Sequence, residues 1–155
     1  MALDDVQAMT RSIDLACAAK TRGNGPYGSV ITLDGEIVAE GENTVRTGLD
    51  CTAHAEMVAV RAATQRLGRL DLSDCVLYAS TEPCVMCAAA IRWARIKRVV
   101  FAIPDNDFGG FTTRFAVLQD AGVQRLAAPP EIVDHFMTAE AIARLPDFMP
   151  PPTPA

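Results

Sequence analysis

Apolar side chains recur at helical spacing at Leu3, Val6, Met9, Ile13 and Cys17, and the stretch Gly23-Asn24-Gly25-Pro26 ends the pattern, which predicts a first helix over residues 3–20. Strand-like runs follow at 27–33 and 36–40. The Asp34-Gly35 dipeptide between them tolerates positive φ at both positions and predicts a tight hairpin. Residues 41–53 carry neither period and read as a loop. Met57, Val60, Thr64 and Leu67 then mark one face of a helix that ends at Gly68, which puts His54 and Glu56 at the helix entrance.

The apolar run 75–80 predicts a strand, Pro83 suits a first helical turn, residues 84–93 are almost wholly apolar, and 98–103 predicts a further strand. In that order they make a βαβ unit, with parallel strands, a right-handed crossover and an apolar helix covered by other structure. Phe111, Phe115 and Leu118 with Gly122 predict another helix, 123–126 a last short strand and 130–145 a final helix. The sum is an α/β chain with a central mixed sheet between two helical layers, a three-layer sandwich.

Composition narrows this picture. A chain of 155 residues that is 50% hydrophobic has the core of one compact domain, assigned to residues 1–145. The remaining ten residues, PDFMPPPTPA at 146–155, form a proline-rich tail predicted to be extended or disordered. With 14 basic against 19 acidic residues the net charge is −5, which disfavours phosphate-rich partners, so nucleic acid is not expected. No run approaches the roughly 20 apolar residues of a membrane helix. The N-terminal MALDDVQAM has acids where a signal peptide has bases, so the chain reads as cytoplasmic, with no membrane partner. Five cysteines, odd in number and dispersed, do not build a disulfide framework.

His54-Ala55-Glu56 and, further on, Pro83-Cys84-Val85-Met86-Cys87 offer one imidazole, two thiols and one carboxylate. Thiolate and imidazole favour Zn²⁺ over the oxygen-seeking Ca²⁺ and Mg²⁺. Cys84 and Cys87 lie on the same side of a helix and can grip one ion. Both groups fall at helix starts, where free N–H groups and the dipole favour thiolates. Three protein ligands leave a fourth tetrahedral position for water, as in catalytic zinc, and Glu56 is the candidate base beside it. Read alone, the C-x-x-C also fits a redox pair; the upstream His-x-Glu and Pro83 favour zinc.

In these residues the sequence resembles the zinc-dependent nucleobase deaminases, which share an H-x-E…P-C-x-x-C pattern. The similarity extends to GPYGSVI at 25–31, GEN at 41–43, TAHAE at 52–56, TEPCVMCAAAI at 81–91 and WARIKRVVF at 93–101. It looks closest to the branch that holds bacterial guanine deaminases and tRNA adenosine deaminases. The resemblance implies a cytidine deaminase-like α/β/α sandwich, one Zn²⁺ per chain on His54, Cys84 and Cys87, and Glu56 as proton shuttle. It further implies substrate contacts at Asn43, whose amide offers both a donor and an acceptor, and at Ala55 within the His-x-Glu motif. Tyr27 and Trp93 are expected as aromatic walls for a planar ring, and a homodimer as the assembly.

The leading expectation is a hydrolase that releases ammonia from a small free base, an aminopurine of the guanine kind, an aminopyrimidine or an aminotriazine. Editing of adenosine to inosine in tRNA is the alternative, supported by the basic cluster Arg92, Arg95, Lys97 and Arg98 but not by residues 105–111, DNDFGGF. A zinc-stabilised interaction module without turnover is a third. Relatives carry proline where this chain has Cys51, whose thiol can then face the pocket. Guanine deaminases also draw a further acid from their C-terminal part, and the sequence leaves Asp105, Asp107, Glu140 and Asp147 all open. His135 reads as an ordinary histidine, and Cys17 and Cys75 as small core residues.

Overall fold

The computed structural model describes residues 2–146. Helix α1 spans Asp5–Thr21, strands β1 and β2 span Gly28–Leu33 and Glu36–Glu42, and helices α2 and α3 span Val45–Gly48 and Ala55–Leu67. Strand β3 (Cys75–Thr81), helix α4 (Val85–Trp93) and strand β4 (Arg98–Ile103) follow, then strand β5 (Glu131–Val133) and helix α5 (Thr138–Arg144). The five strands form one sheet in the order β2-β1-β3-β4-β5. β1 is antiparallel to both β2 and β3, whereas β3, β4 and β5 run parallel. Asp34 and Gly35 turn the hairpin with φ of 52° and 77°. The β3-α4-β4 unit is the predicted crossover.

Alternation along the strands sorts the core onto two faces. Ile31, Leu77, Ala79, Val99 and Phe101 meet Ala59 and Ala63 of α3 and Ala88 and Ile91 of α4. Val30, Tyr78, Val100 and Ala102 meet Ala8, Met9 and Ile13 of α1 and Ala141 of α5. This is the three-layer arrangement. α1 begins on a capping box in which Asp4 and Gln7 satisfy each other's backbone N–H groups. Asp5 in its first turn reaches across to β4, pairing with Arg98 at 2.7 Å and accepting the Tyr78 hydroxyl at 2.7 Å.

Several expectations need correction. The fully buried face of α3 is Ala55, Glu56, Ala59 and Ala63, whose small side chains let the helix axis approach the sheet, while Val60 and Leu67 of the expected stripe pack partly buried at its border. The loop 41–53 contains the single-turn helix α2. Pro83 stands before the N-cap Cys84 rather than inside the first turn. α4 is not covered throughout: Trp93 at its end is 64% exposed.

The larger errors lie after β4. Residues 111–122 make turns instead of a helix, and 123–126 make turns instead of a strand. Their backbone is organised from outside, by the buried Arg92. Its guanidinium donates to the carbonyls of Val117 (2.6 Å), Asp120 (2.6 Å) and Ala127 (2.9 and 2.7 Å). The last strand is instead Glu131–Val133, paired parallel to β4, so the expected helix 130–145 is helical only over Thr138–Arg144. The proline-rich tail, apart from Pro146, falls outside the described residues. Among the described residues no helix is long and apolar enough to cross a membrane.

Candidate active site

β3 and α4 meet at Thr81-Glu82-Pro83-Cys84, and α3 starts at His54, so two helix N-termini converge outside the carboxyl ends of parallel strands. Such a crevice is where open α/β sheets place their ligands. His54 and Cys84 are the N-cap residues of α3 and α4, and neither side chain is spent on capping its own helix. Both are therefore available to a shared centre. Nδ1 of His54 lies 3.5 Å from Sγ of Cys84 and 3.7 Å from Sγ of Cys87.

These separations fit zinc. Tetrahedral bonds to one nitrogen and one sulfur require the two donors to stand about 3.6 Å apart. All three donor atoms lie within 4.8 Å of one another, and no other cluster of this kind occurs among the described residues. The donor set, one imidazole and two thiols, is zinc's own preference. The two thiols differ in their readiness to ionise. Hydrogen bonds from Cys87 and from His54 bring the Cys84 thiol down to about 4, while the Cys87 thiol is pushed up by its bond to Cys84 and by burial. The bond to Cys84 raises the His54 imidazole.

Glu56, one turn-step inside α3, is buried, with Oε2 accepting from the Cys87 thiol at 3.6 Å. Convergence at the helix start, rather than an ideal helical face, brings it beside the other three. Burial pushes its carboxyl up to about 7. A carboxyl group so held can both take and return a proton near neutral pH.

Three of the four groups, His54, Glu56 and Cys84, open with Tyr27 onto a cavity of about 270 Å³, and Cys87 is buried behind them. Thr81, Glu82, Asp105 and Phe108 complete it, and only Asp105 among these was an open candidate in the sequence. Of the four acids left open, Asp105 alone lines the cavity; Asp107 and Glu140 are exposed, and Asp147 is outside the described residues. Tyr27 is raised above its usual range by burial and by Asp105, Glu56 and Cys84.

Other expected contacts lie elsewhere. Asn43 is buried at the end of β2, where Oδ1 accepts the Val45 N–H at 3.2 Å, and Ala55 is buried in the first turn of α3; neither lines the cavity. Trp93, at the opposite end of α4 from Cys84, is not a cavity wall in the single chain. Cys51 is exposed and is not part of the lining. The basic cluster is also dispersed. Arg92 is buried on carbonyl oxygens, Arg98 pairs with Asp5 and Glu131, and of the two exposed members Arg95 pairs at the surface with Asp71 at 3.1 Å, beside Lys97.

Comparison with known proteins agrees with this geometry. Residues 3–103 match the family model for the cytidine and deoxycytidylate deaminase zinc-binding region. The chain is 50% identical over 100 residues to a guanine deaminase of Bacillus subtilis, covering 64% of each protein. It is 39% identical over 99 residues to a tRNA-specific adenosine deaminase of Aquifex aeolicus, covering 64% of this chain and 66% of that one. The match thus spans just under two thirds of these relatives. A solved tRNA:A34 deaminase, studied for A-to-I editing at the wobble position of transfer RNA, superposes with a TM-score of 0.83 at 31% identity, covering 90% of this chain and 99% of its own.

Proposed function

Because the chain belongs to the zinc-binding cytidine and deoxycytidylate deaminase family, we propose that it hydrolyses the exocyclic amine of a small free base of the guanine kind and releases ammonia. The observation that carries this is the placement of Glu56 beside the His54, Cys84 and Cys87 donors, with His54, Glu56 and Cys84 lining one cavity. Structural zinc sites close their coordination with a fourth protein ligand and have no use for an adjacent carboxyl.

His54, Cys84 and Cys87 would hold the metal, which when bound would supply Lewis acidity and bring the ionisation of water towards neutral pH. The chain's own work is proton traffic. Glu56 takes a proton from the attacking water and passes it to a ring nitrogen, then takes the second proton from the hydroxyl newly joined to carbon and delivers it to the departing amine as the carbonyl forms, so a single carboxyl group serves as base and then acid. Tyr27 and Phe108 offer ring faces for a planar heterocycle. Asp105 brings an acceptor to a cavity whose lining contains no lysine or arginine. That wall favours a ring with several N–H donors and no phosphate.

Similarity to tRNA deaminases supports a second reading, adenosine deamination in tRNA. The carbonyl contacts of the buried Arg92 and the ion pairs of Arg98 weigh against it, since a nucleic-acid groove needs cations free for phosphates. Ammonia release from a panel of guanine, adenine, cytosine and aminotriazines, alongside inosine formation in tRNA, distinguishes the two. Turnover of a free base with zinc near one per chain is the expected result. Inosine without any free-base turnover would replace the proposal by its rival.

A further inference from the structure

Glu82 is a carboxylate only 3% exposed, and the proton traffic above makes no use of it. Four neutral donors hold it. Oε1 accepts the N–H of Phe111 (2.8 Å) and of Thr112 (2.7 Å); Oε2 accepts the N–H of Asp105 (3.0 Å) and the Thr112 hydroxyl (2.8 Å). A buried carboxylate persists only where donors replace its hydration, and hydrogen bonds to a charged acceptor are the strong ones. The chain from Asp105 to Thr112 must therefore close on Glu82.

What closes is the outer wall of the cavity. Asp105 and Phe108 line it, yet between β4 and β5 the chain has neither helix nor strand to hold them. The anchors lie in the segment that leads to Cys84: Gly110 N–H donates to the Pro83 carbonyl at 2.8 Å, Val85 N–H to the Phe108 carbonyl at 3.3 Å, and Gly109 bridges Cys84. Gly109 sits so close that a Cβ there would collide with Oε1 of Glu82. Oδ1 of Asp105 in turn accepts the N–H groups of Asp107 and Phe108, each at 3.0 Å, which carries the placement on to the Phe108 ring.

We propose that Glu82 is the positioning residue that sets the substrate wall. By pinning residues 105–112 against the start of α4, it fixes how far Asp105 and Phe108 stand from the metal ligands, and so which ring the cavity accepts. Its kinetic test rests on the deaminase reading; its exchange test does not.

Three variants press on the same contact. Glu82→Gln turns one acceptor into an NH2 that faces donors. Thr112→Val removes one donor, and Gly109→Ala pushes from the opposite side. Amide hydrogen exchange in Glu82→Gln is expected to lose protection at Asp105, Phe111 and Thr112 by about tenfold or more, a charge-assisted bond's worth, while α3 and α4 keep theirs. With a free base as substrate, KM is expected to rise about tenfold while kcat per bound zinc changes less than about threefold. Discrimination between bases narrows. A merely structural role would lower the folded fraction, reducing kcat at constant KM. Unchanged exchange at the three amides, exchange lost evenly over the chain in all three variants, or a loosened loop with unchanged KM would each overturn the proposal. Absence of any free-base turnover in the wild type would sink the deaminase reading and leave the exchange result to decide this one.

Discussion

Two glutamates share the cavity and have opposite work because their surroundings differ. Glu82 has four donors and stays fixed; Glu56 accepts the Cys87 thiol, and burial raises its carboxyl to about 7. Glu56→Gln keeps shape and hydrogen-bonding reach but cannot carry a proton. Zinc content by elemental analysis is expected to stay near one per chain while kcat falls by on the order of 10²- to 10⁴-fold, the usual worth of a positioned acid-base group. Ammonia release at the wild-type rate would remove Glu56 from the mechanism. His54, Glu56, Cys84 and Cys87 were legible in the sequence because each pair lies in one short segment whose spacing is chemical. Glu82 and Arg92 were not, since a charge beside apolar residues looks the same whether it faces water or a ring of backbone groups. The one available signal was position: Glu82 stands between an apolar strand and an apolar helix.

At the scale of elements, the site depends on where α3 begins. Gly41 in β2 faces the first turn of that helix, and a Cβ there would collide with the Ala55 carbonyl. Gly41→Ala is expected to push His54 and Glu56 away from α4, costing about 1–3 kcal/mol of stability in urea unfolding, the range for overpacking, and weakening zinc binding in a chelator competition. Stability loss with zinc affinity unchanged would show that α3 relaxes elsewhere. Apart from α2, the elements up to β4 followed from periodicity and turn chemistry. From residue 104 onward they did not, because Phe111, Phe115 and Leu118 imitate a helical stripe while the hydrogen bonds of that stretch go to Arg92 and Glu82. α2 is too short to carry a period, and β5 takes its register from β4 rather than from its own three residues.

For the molecule as a whole, the Asp5–Arg98 pair ties the helical layer of α1 to the parallel half of the sheet. The Arg98 guanidinium, with help from Tyr78, holds the Asp5 carboxyl below its ordinary 3.8. A depressed carboxyl contributes stability that is present above the unfolded value and is lost as pH falls through the folded one. Asp5→Asn should therefore be less stable than wild type at pH 6–7, and the gap should close below about pH 4. Urea midpoints across that span check it; a constant gap would mean that the pair's charge is irrelevant. Partial exposure of both groups keeps the effect small. The long irregular connection between β4 and β5 has a wider consequence. On the proposed function, the reagents sit at the starts of α3 and α4, whereas Asp105 and Phe108 belong to an irregular strap held by side chains and backbone contacts rather than by helix or strand. Selectivity can drift, in nature or by grafting, through changes confined to that strap, while the same chassis goes on supplying the chemistry.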